Sequence, residues 1–585
     1  MSTPRTPRMF AAALAIVALL APTGCSSDAT DPGADGPETT LGDPRNGGPT
    51  EAATVVTGRV YTGVADEPWA EAFAYDADGV ITAVGSSDDV LSAAGDEARI
   101  VEGGPGMVMP GFEDAHVHIP EAGINDGLCL MDAGLTLEDY EAEAVRCAEE
   151  STTDEWVRAA GASLFGLRGT QGDKTPLEAL ERAVPDRPAV ILDDLGHAAW
   201  TNSAGLEAAG IAEDTPDPAG GIIERTEDGR PTGLLLEDAQ HLVRGPATPD
   251  EATVDEGMAV ALEQIAAAGI TTVSDAGGYW QGGLTDAWTR AADADGLTVR
   301  AVNSLYLYPD LNPDEQLAEF EQRYRNEPGD LLRVDTAKIY VDGILDLGTA
   351  AMIEPYDEAP DPDFPNGFHY FTADQLAEYA PRLAELGFRM EFHTIGDQAN
   401  RDALDAIESI PEGTGEDLVH RTTHTYLVDP ADLPRFAELG VAADVQAGPD
   451  TLDPAYREDL RAIIGDRADG LVPMAGLLDA GATLTLSSDW DADPLGPLGT
   501  IERALTRDRE GVPDLGTAIE ATTIGPARTM GVDDVTGTIE VGKQADYVVL
   551  SEDLFELESD QIDETQVLMT TVAGTEVFRA ESFTG

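Results

Sequence analysis

Eight short β-forming segments recur between residues 107 and 489, and helix-forming segments separate most of them, for example at 373–386 and 399–410. This alternation predicts a parallel α/β fold, and eight parallel strands with intervening helices predict a (β/α)8 barrel of the TIM type. The predicted strands are 107–109 leading to His118, 269–275, 298–307, 336–342, 388–394, 421–428, 441–446 and 482–489.

Two parts of the chain do not fit this alternation. The interval from about 126 to 268 is too long for one crossover between neighbouring strands, so it predicts an inserted subdomain after the first barrel strand. Both ends of the chain beyond the signal region carry apolar-alternating segments, and the N-terminal one contains the hairpin signal Asp78-Gly79. These ends predict a small β-sandwich module formed from both termini.

The first 25 residues have the character of a targeting segment. Arg5 and Arg8 precede an apolar run at 9–20 that is too short to cross a bilayer comfortably, and Gly24-Cys25 follows. This pattern resembles a bacterial lipoprotein signal, in which Cys25 is lipidated and becomes the first residue of the mature chain. The sequence therefore predicts an extracytoplasmic, membrane-anchored protein, with secretion and release as the alternative.

Residues 26–50 are rich in Gly, Pro, Asp and Thr, which predicts a flexible linker. The predicted parts of the chain are a signal segment at 1–25, the linker at 26–50, the sandwich module at 51–106 and 531–585, and the barrel at 107–530 with its insertion at about 126–268.

The charge of the chain restricts its partners. There are 111 acidic and 34 basic residues, so the formal net charge is −77. A surface this negative repels nucleic acids and anionic membranes, so it argues against both as partners and predicts membrane contact only through a lipid at Cys25. With Cys25 lipidated, Cys129 and Cys147 remain as a pair in an oxidising compartment and predict a disulfide; two buried free thiols are the alternative.

Histidines and one aspartate stand where barrel strands are predicted to end. His116 and His118 in PGFEDAHVH share one face of a strand, because side chains at i and i+2 point the same way. His393, His424 and Asp489 end the fifth, sixth and eighth predicted strands. A barrel gathers its reactive groups at these strand ends, and four imidazoles with a carboxylate suit Zn²⁺ or a similar divalent ion, so we predict a site for one or two ions.

Longer motifs resemble the amidohydrolase superfamily and, within it, the amidohydrolase 3, YtcJ-like group. The resemblance spans about residues 55–578 and implies a metal-dependent hydrolase barrel with a β-sandwich-like module. The matching stretches are PGFEDAHVH, GHAAWTNSAGL at 196–206, GRPTGLLLE at 229–237, KIYVDG at 338–343, HTIGDQANRDALDA at 393–406, SSDW, and GTIEVGKQADYVVL at 537–550.

The resemblance also implies individual roles. It makes His116 and His118 the first-strand metal ligands, His393 and His424 the fifth- and sixth-strand ligands, and Asp489 the last-strand acid.

Lys338 matches a fourth-strand position where many relatives carry a carboxylated lysine that bridges two metals. The alternative is a lysine paired with Asp342 or Asp489. His197 is a candidate for contacting the substrate oxygen, or else packs at the head of the following helix. Trp200 and Asn202 are candidates for lining the same pocket.

The predicted chemistry follows from these parts. A metal lowers the pKa of bound water and polarises a carbonyl, the resulting hydroxide attacks the substrate, and Asp489 carries the proton to the leaving nitrogen. The expected activity is hydrolysis of a non-peptide C–N bond in an amide, imide or formamide-like substrate. Alternatives are ester or lactone hydrolysis, deamination at the same metal site, or a solute-binding surface lipoprotein without turnover. His241, His369 and His420 have no motif support and are assigned no role.

Overall fold

The computed structural model describes residues 53–585, apart from 152–154, 169–173, 328, 361, 450 and 508. The predicted signal segment with Cys25, and the predicted linker, lie outside the described residues. Of the helices in the described part of the chain, none is both long and apolar enough to pass through a bilayer.

Eight parallel strands form a barrel, which confirms the predicted TIM-type barrel. Each strand pairs with the next one along the chain. The ends of the sheet then meet: the Asp489 amide donates to the His116 carbonyl at 2.9 Å, and the His118 amide donates to the Trp490 carbonyl at 2.6 Å. Barrel strands 1 to 8 are Phe112–Val117, Ile270–Asp275, Arg300–Tyr306, Leu332–Tyr340, Arg389–Thr394, Arg421–His424, Ala442–Gln446 and Thr483–Ser487.

The prediction for the start of barrel strand 1 was wrong. Residues 107–109 belong to the strand Arg99–Pro110, which lies in a different sheet, and the barrel strand begins at Phe112. Gly111 separates the two strands, and its amide donates to the Asp546 carbonyl at 3.0 Å.

Charged side chains fill part of the barrel interior. Strands 4 to 7 contribute Lys338, Glu391, Arg421 and Asp444, and all four are fully buried. Glu391 accepts from Lys338 at 3.3 Å and from Arg421 at 2.5 Å, so it joins neighbouring strands by ion pairs. Burial of such groups is tolerated when they are paired and hydrogen-bonded, and this network forms the floor beneath the strand ends.

Helices surround the barrel and pack their apolar faces on it. The helix Glu251–Ala267, for example, places Met258, Leu262 and Ile265 in the same core as the barrel strands. The helices in the described part of the chain are Ser87–Ala94, Ile119–Asn125, Leu137–Glu150, Pro176–Ala183, Ser203–Ala208, His241–Ala247, Glu251–Ala267, Leu284–Asp293, Pro313–Arg323, Ala373–Glu385, Asp397–Glu408, Leu433–Leu439, Pro454–Ile464, Met474–Asp479, Pro497–Thr506, Leu515–Glu520 and Ile524–Met530.

Residues from both ends of the described chain form one seven-stranded sheet. The expected hairpin at Asp78-Gly79 is present, and Gly79 has φ +76°, which a glycine adopts without strain. A sandwich needs two facing layers, so that detail stays a prediction. In spatial order the strands are Thr575–Arg579, Val567–Val572, Tyr547–Leu550, Arg99–Pro110, Thr54–Tyr61, Trp69–Tyr75 and Ile81–Gly85.

The segment after barrel strand 1 forms a six-stranded sheet with its own apolar core. A disulfide joins Cys129 on its edge strand to Cys147 on the helix Leu137–Glu150. In spatial order its strands are Gly221–Arg225, Pro231–Glu237, Ala198–Thr201, Ala189–Asp193, Val157–Ala162 and Cys129–Leu130.

Candidate active site and metal centre

Five predicted ligand residues meet at the C-terminal ends of the barrel strands. His116, His424 and Asp489 each offer one ligand atom, and these three atoms lie within 4.8 Å of one another. His118 Nε2 lies 3.2 Å from Asp489 Oδ1. The His393 ring centroid is 4.5 Å from that of His424. Side chains from four separate parts of the chain are thus brought to one place by the closure of the barrel.

Two glutamates orient the first-strand histidines. His116 Nδ1 lies 2.6 Å from Glu391 Oε1, and His118 Nδ1 lies 3.0 Å from Glu121 Oε2. The Nε2 atoms of both rings consequently face Asp489 Oδ1, each at 3.2 Å. A carboxylate on the far nitrogen is the usual partner of a metal-bound imidazole, because it fixes the ring orientation and the tautomer.

His393 carries two buried ring nitrogens that make no hydrogen bond to a described residue, although Nδ1 lies 3.5 Å from Asp342 Oδ1. Its ring stacks on Tyr340 with the centroids 4.3 Å apart. Burial, together with His424, holds the pKa of His393 well below its usual range, so the imidazole is neutral. An orphaned neutral imidazole in a buried site is costly unless something binds it, and a divalent cation is the partner that the other donors also suit.

Burial and neighbouring charges also shift the pKa values of three other ligand residues. Burial also holds the pKa of His424 well below its usual range. Burial opposes ionisation of Asp489, but His116 and His118 outweigh it and keep the pKa of this carboxyl well below its ordinary value. His393 and His424 as neutral imidazoles and Asp489 as a carboxylate are in the states that bind a metal. His118 differs: burial lowers its pKa, but hydrogen bonds with Asp489 and Glu121 outweigh burial and raise it to about 10, so this ring releases a proton when it binds a metal.

The backbone is strained where two of these residues stand. His424 and Asp489 have φ +67° and φ +57°, and Thr425, which follows His424, has φ +47°. Non-glycine residues rarely adopt this left-handed region, and it persists where the surroundings enforce it, typically at functional sites.

Lys338 lies beneath the cluster with no exposed surface. Its Nζ is 3.3 Å from His116 Nε2 and 3.3 Å from Glu391 Oε1. Its partner is therefore Glu391 and not Asp342 or Asp489, the alternatives considered from sequence. Asp342 instead accepts the amides of Ile395 and Gly396 at 3.0 and 2.8 Å.

His197 reaches the site from the inserted subdomain. Its ring centroid is 5.2 Å from that of His393, and its Nδ1 lies 2.6 Å from Glu237 Oε2. Glu237 also accepts from Tyr370 Oη at 2.7 Å and from Thr349 Oγ1, and it has φ +54°. The ring is thus held by a buried carboxylate and does not pack at a helix head.

Trp200 and Asn202 do not line this site. Trp200 is fully buried in the core of the inserted subdomain, and its Nε1 donates to the Pro176 carbonyl at 2.9 Å. Asn202 Oδ1 accepts the Gly205 amide at 2.9 Å and so begins the helix Ser203–Ala208. The structure therefore corrects the prediction that they contact substrate: both side chains stabilise the insertion.

Comparison with known proteins gives one family match. The model of the amidohydrolase family matches residues 104–578. Over 515 residues the chain is 30% identical to an N-substituted formamide deformylase of Arthrobacter pascens, covering 85% of this chain and 93% of that protein. It is 28% identical to the YtcJ protein of Bacillus subtilis over 539 residues, covering 89% and 98%.

A solved structure shares the fold. An uncharacterized metal-dependent hydrolase from Pyrococcus horikoshii superposes with a TM-score of 0.67 at 21% sequence identity, over 87% of this chain and 99% of the other.

Proposed function

The chain belongs to the amidohydrolase family, and from that premise we propose that it hydrolyses a non-peptide C–N bond in a small amide, imide or formamide-like substrate. The observation that carries the proposal is the convergence of four imidazoles with the ionised Asp489 at the strand ends. The formamide class is placed first because a relative that the chain matches over most of its length is named as a formamide deformylase.

The residues that would hold a divalent ion, which we propose to be Zn²⁺, are His116, His118, His393, His424 and Asp489. Such an ion, when bound, supplies a water of lowered pKa and polarises a carbonyl group. We further propose that Lys338 is carboxylated. Burial lowers its pKa, which favours the neutral amine that reacts with carbon dioxide, and the product would be an anionic ligand beneath the cluster.

Asp489 is suited to move the proton. Its carboxylate is ionised, touches both histidines of the first strand, and is 18% exposed, so it faces the space that a substrate would enter. It accepts a proton from the attacking water and delivers it to the departing nitrogen.

His197 is suited to bind the substrate oxygen. Glu237 occupies its Nδ1, which leaves Nε2 to face the strand ends. With a proton on Nε2, the ring would donate it in a hydrogen bond to an oxygen on which negative charge develops.

Replacing Glu237 with Gln is expected to lower kcat/KM by about 10- to 100-fold, because His197 loses its anionic anchor. Metal content should not change. The matched control is Glu224→Gln, since Glu224 is another buried glutamate of the inserted sheet, bonded to Thr232 at 2.6 Å. If Glu237 acts through His197, its substitution has no further effect in a His197→Ala background; an equal loss there would contradict the positioning role.

The proposed function is tested by a substrate panel on metal-loaded protein. The panel holds N-benzylformamide, a cyclic imide, a lactone and an aminopurine nucleoside. We expect turnover of the formamide or the imide. Preferred turnover of the lactone, or ammonia release from the nucleoside, would support the alternative reactions at the same site. Tight binding without turnover of any compound would support a solute-binding protein instead.

We also propose that the protein is exported and anchored through a lipid on Cys25, with secretion as the alternative. The apolar run at 9–20 before Gly24-Cys25 supports export, and the disulfide between Cys129 and Cys147 suits an oxidising compartment. Mass spectrometry of the mature N-terminus decides between a lipidated Cys25 and a released chain.

A further inference from the structure

A cavity of about 240 Å³ lies beside the candidate metal centre, between the barrel end and the inserted sheet. Its walls are largely apolar and aromatic, with Ile124 and Leu284 from the barrel side and Val190 and Leu192 from the inserted sheet. Tyr279, from the loop after barrel strand 2, lines the same space. The cavity is therefore shaped for an apolar or aromatic body of a few carbon atoms.

A single side chain, that of Glu121, separates the cavity from the proposed metal ligand His118. Glu121 forms part of its wall and is the residue that holds His118 Nδ1 at 3.0 Å. Gly277 closes the same corner: a Cβ added there would meet Glu121 Oε2 at 2.7 Å and His118 Nδ1 at 3.0 Å. A group bound in the cavity would consequently sit next to whatever reacts at the strand ends.

Arg158 lines the cavity without an acidic partner. Its Nη2 has one long contact, 3.5 Å to Asn125 Oδ1, and among the described residues no carboxylate lies within 4.0 Å of it. Burial and repulsion from Arg244 lower its pKa to about 10, so the guanidinium remains a cation at neutral pH. A partly buried cation left without an anion is unexpected in a chain whose net charge is −77.

The other ionised groups of the cavity are already paired with each other. Arg244 forms an ion pair with Glu121, which in turn holds His118. His241 also lines the space, but burial and Arg244 lower its pKa to about 3, so it is neutral. The charge that remains available to a ligand is the positive charge of Arg158.

We propose that this cavity binds the carboxylate of an anionic substrate through Arg158, which narrows the proposed reaction to C–N hydrolysis in N-acylated amino carboxylates with an apolar side group. The proposal rests on the proposed function and deepens it. A guanidinium matches a carboxylate with two parallel N–H···O bonds, and the apolar walls receive the side group.

The test uses two substrates that differ only in the carboxylate, N-formylphenylalanine and N-formyl-2-phenylethylamine. We expect Arg158→Met to lower kcat/KM for the acid by about 10- to 100-fold, mainly through KM, with little change for the neutral compound. Arg158→Lys should restore part of the loss. Arg528→Met removes an exposed positive charge elsewhere, paired with Glu520 at 3.1 Å, and serves as the matched control. Equal effects on both substrates, or none on either, would overturn the proposal.

A binding experiment tests the carboxylate site independently of the proposed reaction. Phenylacetate and phenylacetamide are titrated into the metal-loaded protein by calorimetry, a readout that needs no turnover. We expect phenylacetate to bind more tightly to the natural protein, and Arg158→Met to abolish that preference. If the preference persists in Arg158→Met, the carboxylate site is wrong whether or not formamides are hydrolysed. If Arg158→Met loses the preference for phenylacetate but the natural protein cleaves no C–N bond, the carboxylate site is supported and the proposed reaction is wrong.

Discussion

Replacing Asp489 with Asn is expected to lower kcat by about 10²- to 10⁴-fold while the fold stays intact. The amide keeps the size of the side chain but cannot accept the proton that the carboxylate carries from water to the leaving nitrogen. The carboxylate contacts both His116 and His118 at 3.2 Å, so no other described acid occupies the same place. The measurements are kcat and KM on the best substrate of the panel, together with metal content.

The matched control for this variant is Asp491→Asn. Asp491 lies two residues further on in the same loop, and its Oδ2 accepts a hydrogen bond from Asn125 Nδ2 at 2.8 Å. The control therefore changes an aspartate of the same loop that does not contact the histidines. We expect the control to retain activity within a small factor. Full turnover in Asp489→Asn would remove the assigned proton transfer, and loss of metal in that variant would make Asp489 chiefly a ligand.

Removal of the divalent ion by a chelator is expected to lower activity to the background rate, a loss of about 10³-fold or more, and stoichiometric Zn²⁺ should restore it. The secondary structure should persist, because the barrel core and the interior ion pair between Glu391 and Arg421 do not depend on the ion. Circular dichroism checks the fold, and elemental analysis counts one or two ions per chain.

Two buried histidines provide a matched pair for the same prediction. His393→Asn should lose metal and activity, since the ring lies in the cluster and its nitrogens make no hydrogen bond to a described residue. His420→Asn should retain both, since its Nδ1 accepts the Met390 amide at 3.1 Å and serves the barrel wall. Metal retention in His393→Asn would contradict its ligand role.

Reconstitution with ¹³C-bicarbonate tests the proposed carboxylation of Lys338. A carbamate carbon signal is expected in the natural protein and not in Lys338→Met.

Much of the barrel and of the metal cluster could be predicted because their signals are local. Strand periodicity places His116 and His118 on one face, and a polar residue at the end of a buried strand is a strong positional cue. The start of barrel strand 1 was misplaced because the apolar run at 107–109 is continuous with it in sequence. Only the Gly111 junction separates a strand of the terminal sheet from a strand of the barrel.

The residues that sequence reasoning missed act across long separations. Glu391 precedes His393 by two positions and so shares its face, a cue that could have been used, but its partners Lys338 and Arg421 come from other strands. Glu237 ends the GRPTGLLLE motif, yet its bond to His197 depends on how two strands of the insertion pair. Trp200 was misassigned because a motif does not reveal which way a side chain points.

The seven-stranded sheet contains strands from both ends of the described chain, so it cannot be completed until the C-terminal strands have been synthesised. The strand Arg99–Pro110 pairs on one side with Thr54–Tyr61 and on the other with Tyr547–Leu550. A growing chain therefore holds that strand with one unpaired edge until more than four hundred further residues have been made, and such an edge invites pairing with another chain. The last strands to be synthesised cover it, so a chain cut short before Tyr547 would leave this edge open and prone to aggregation.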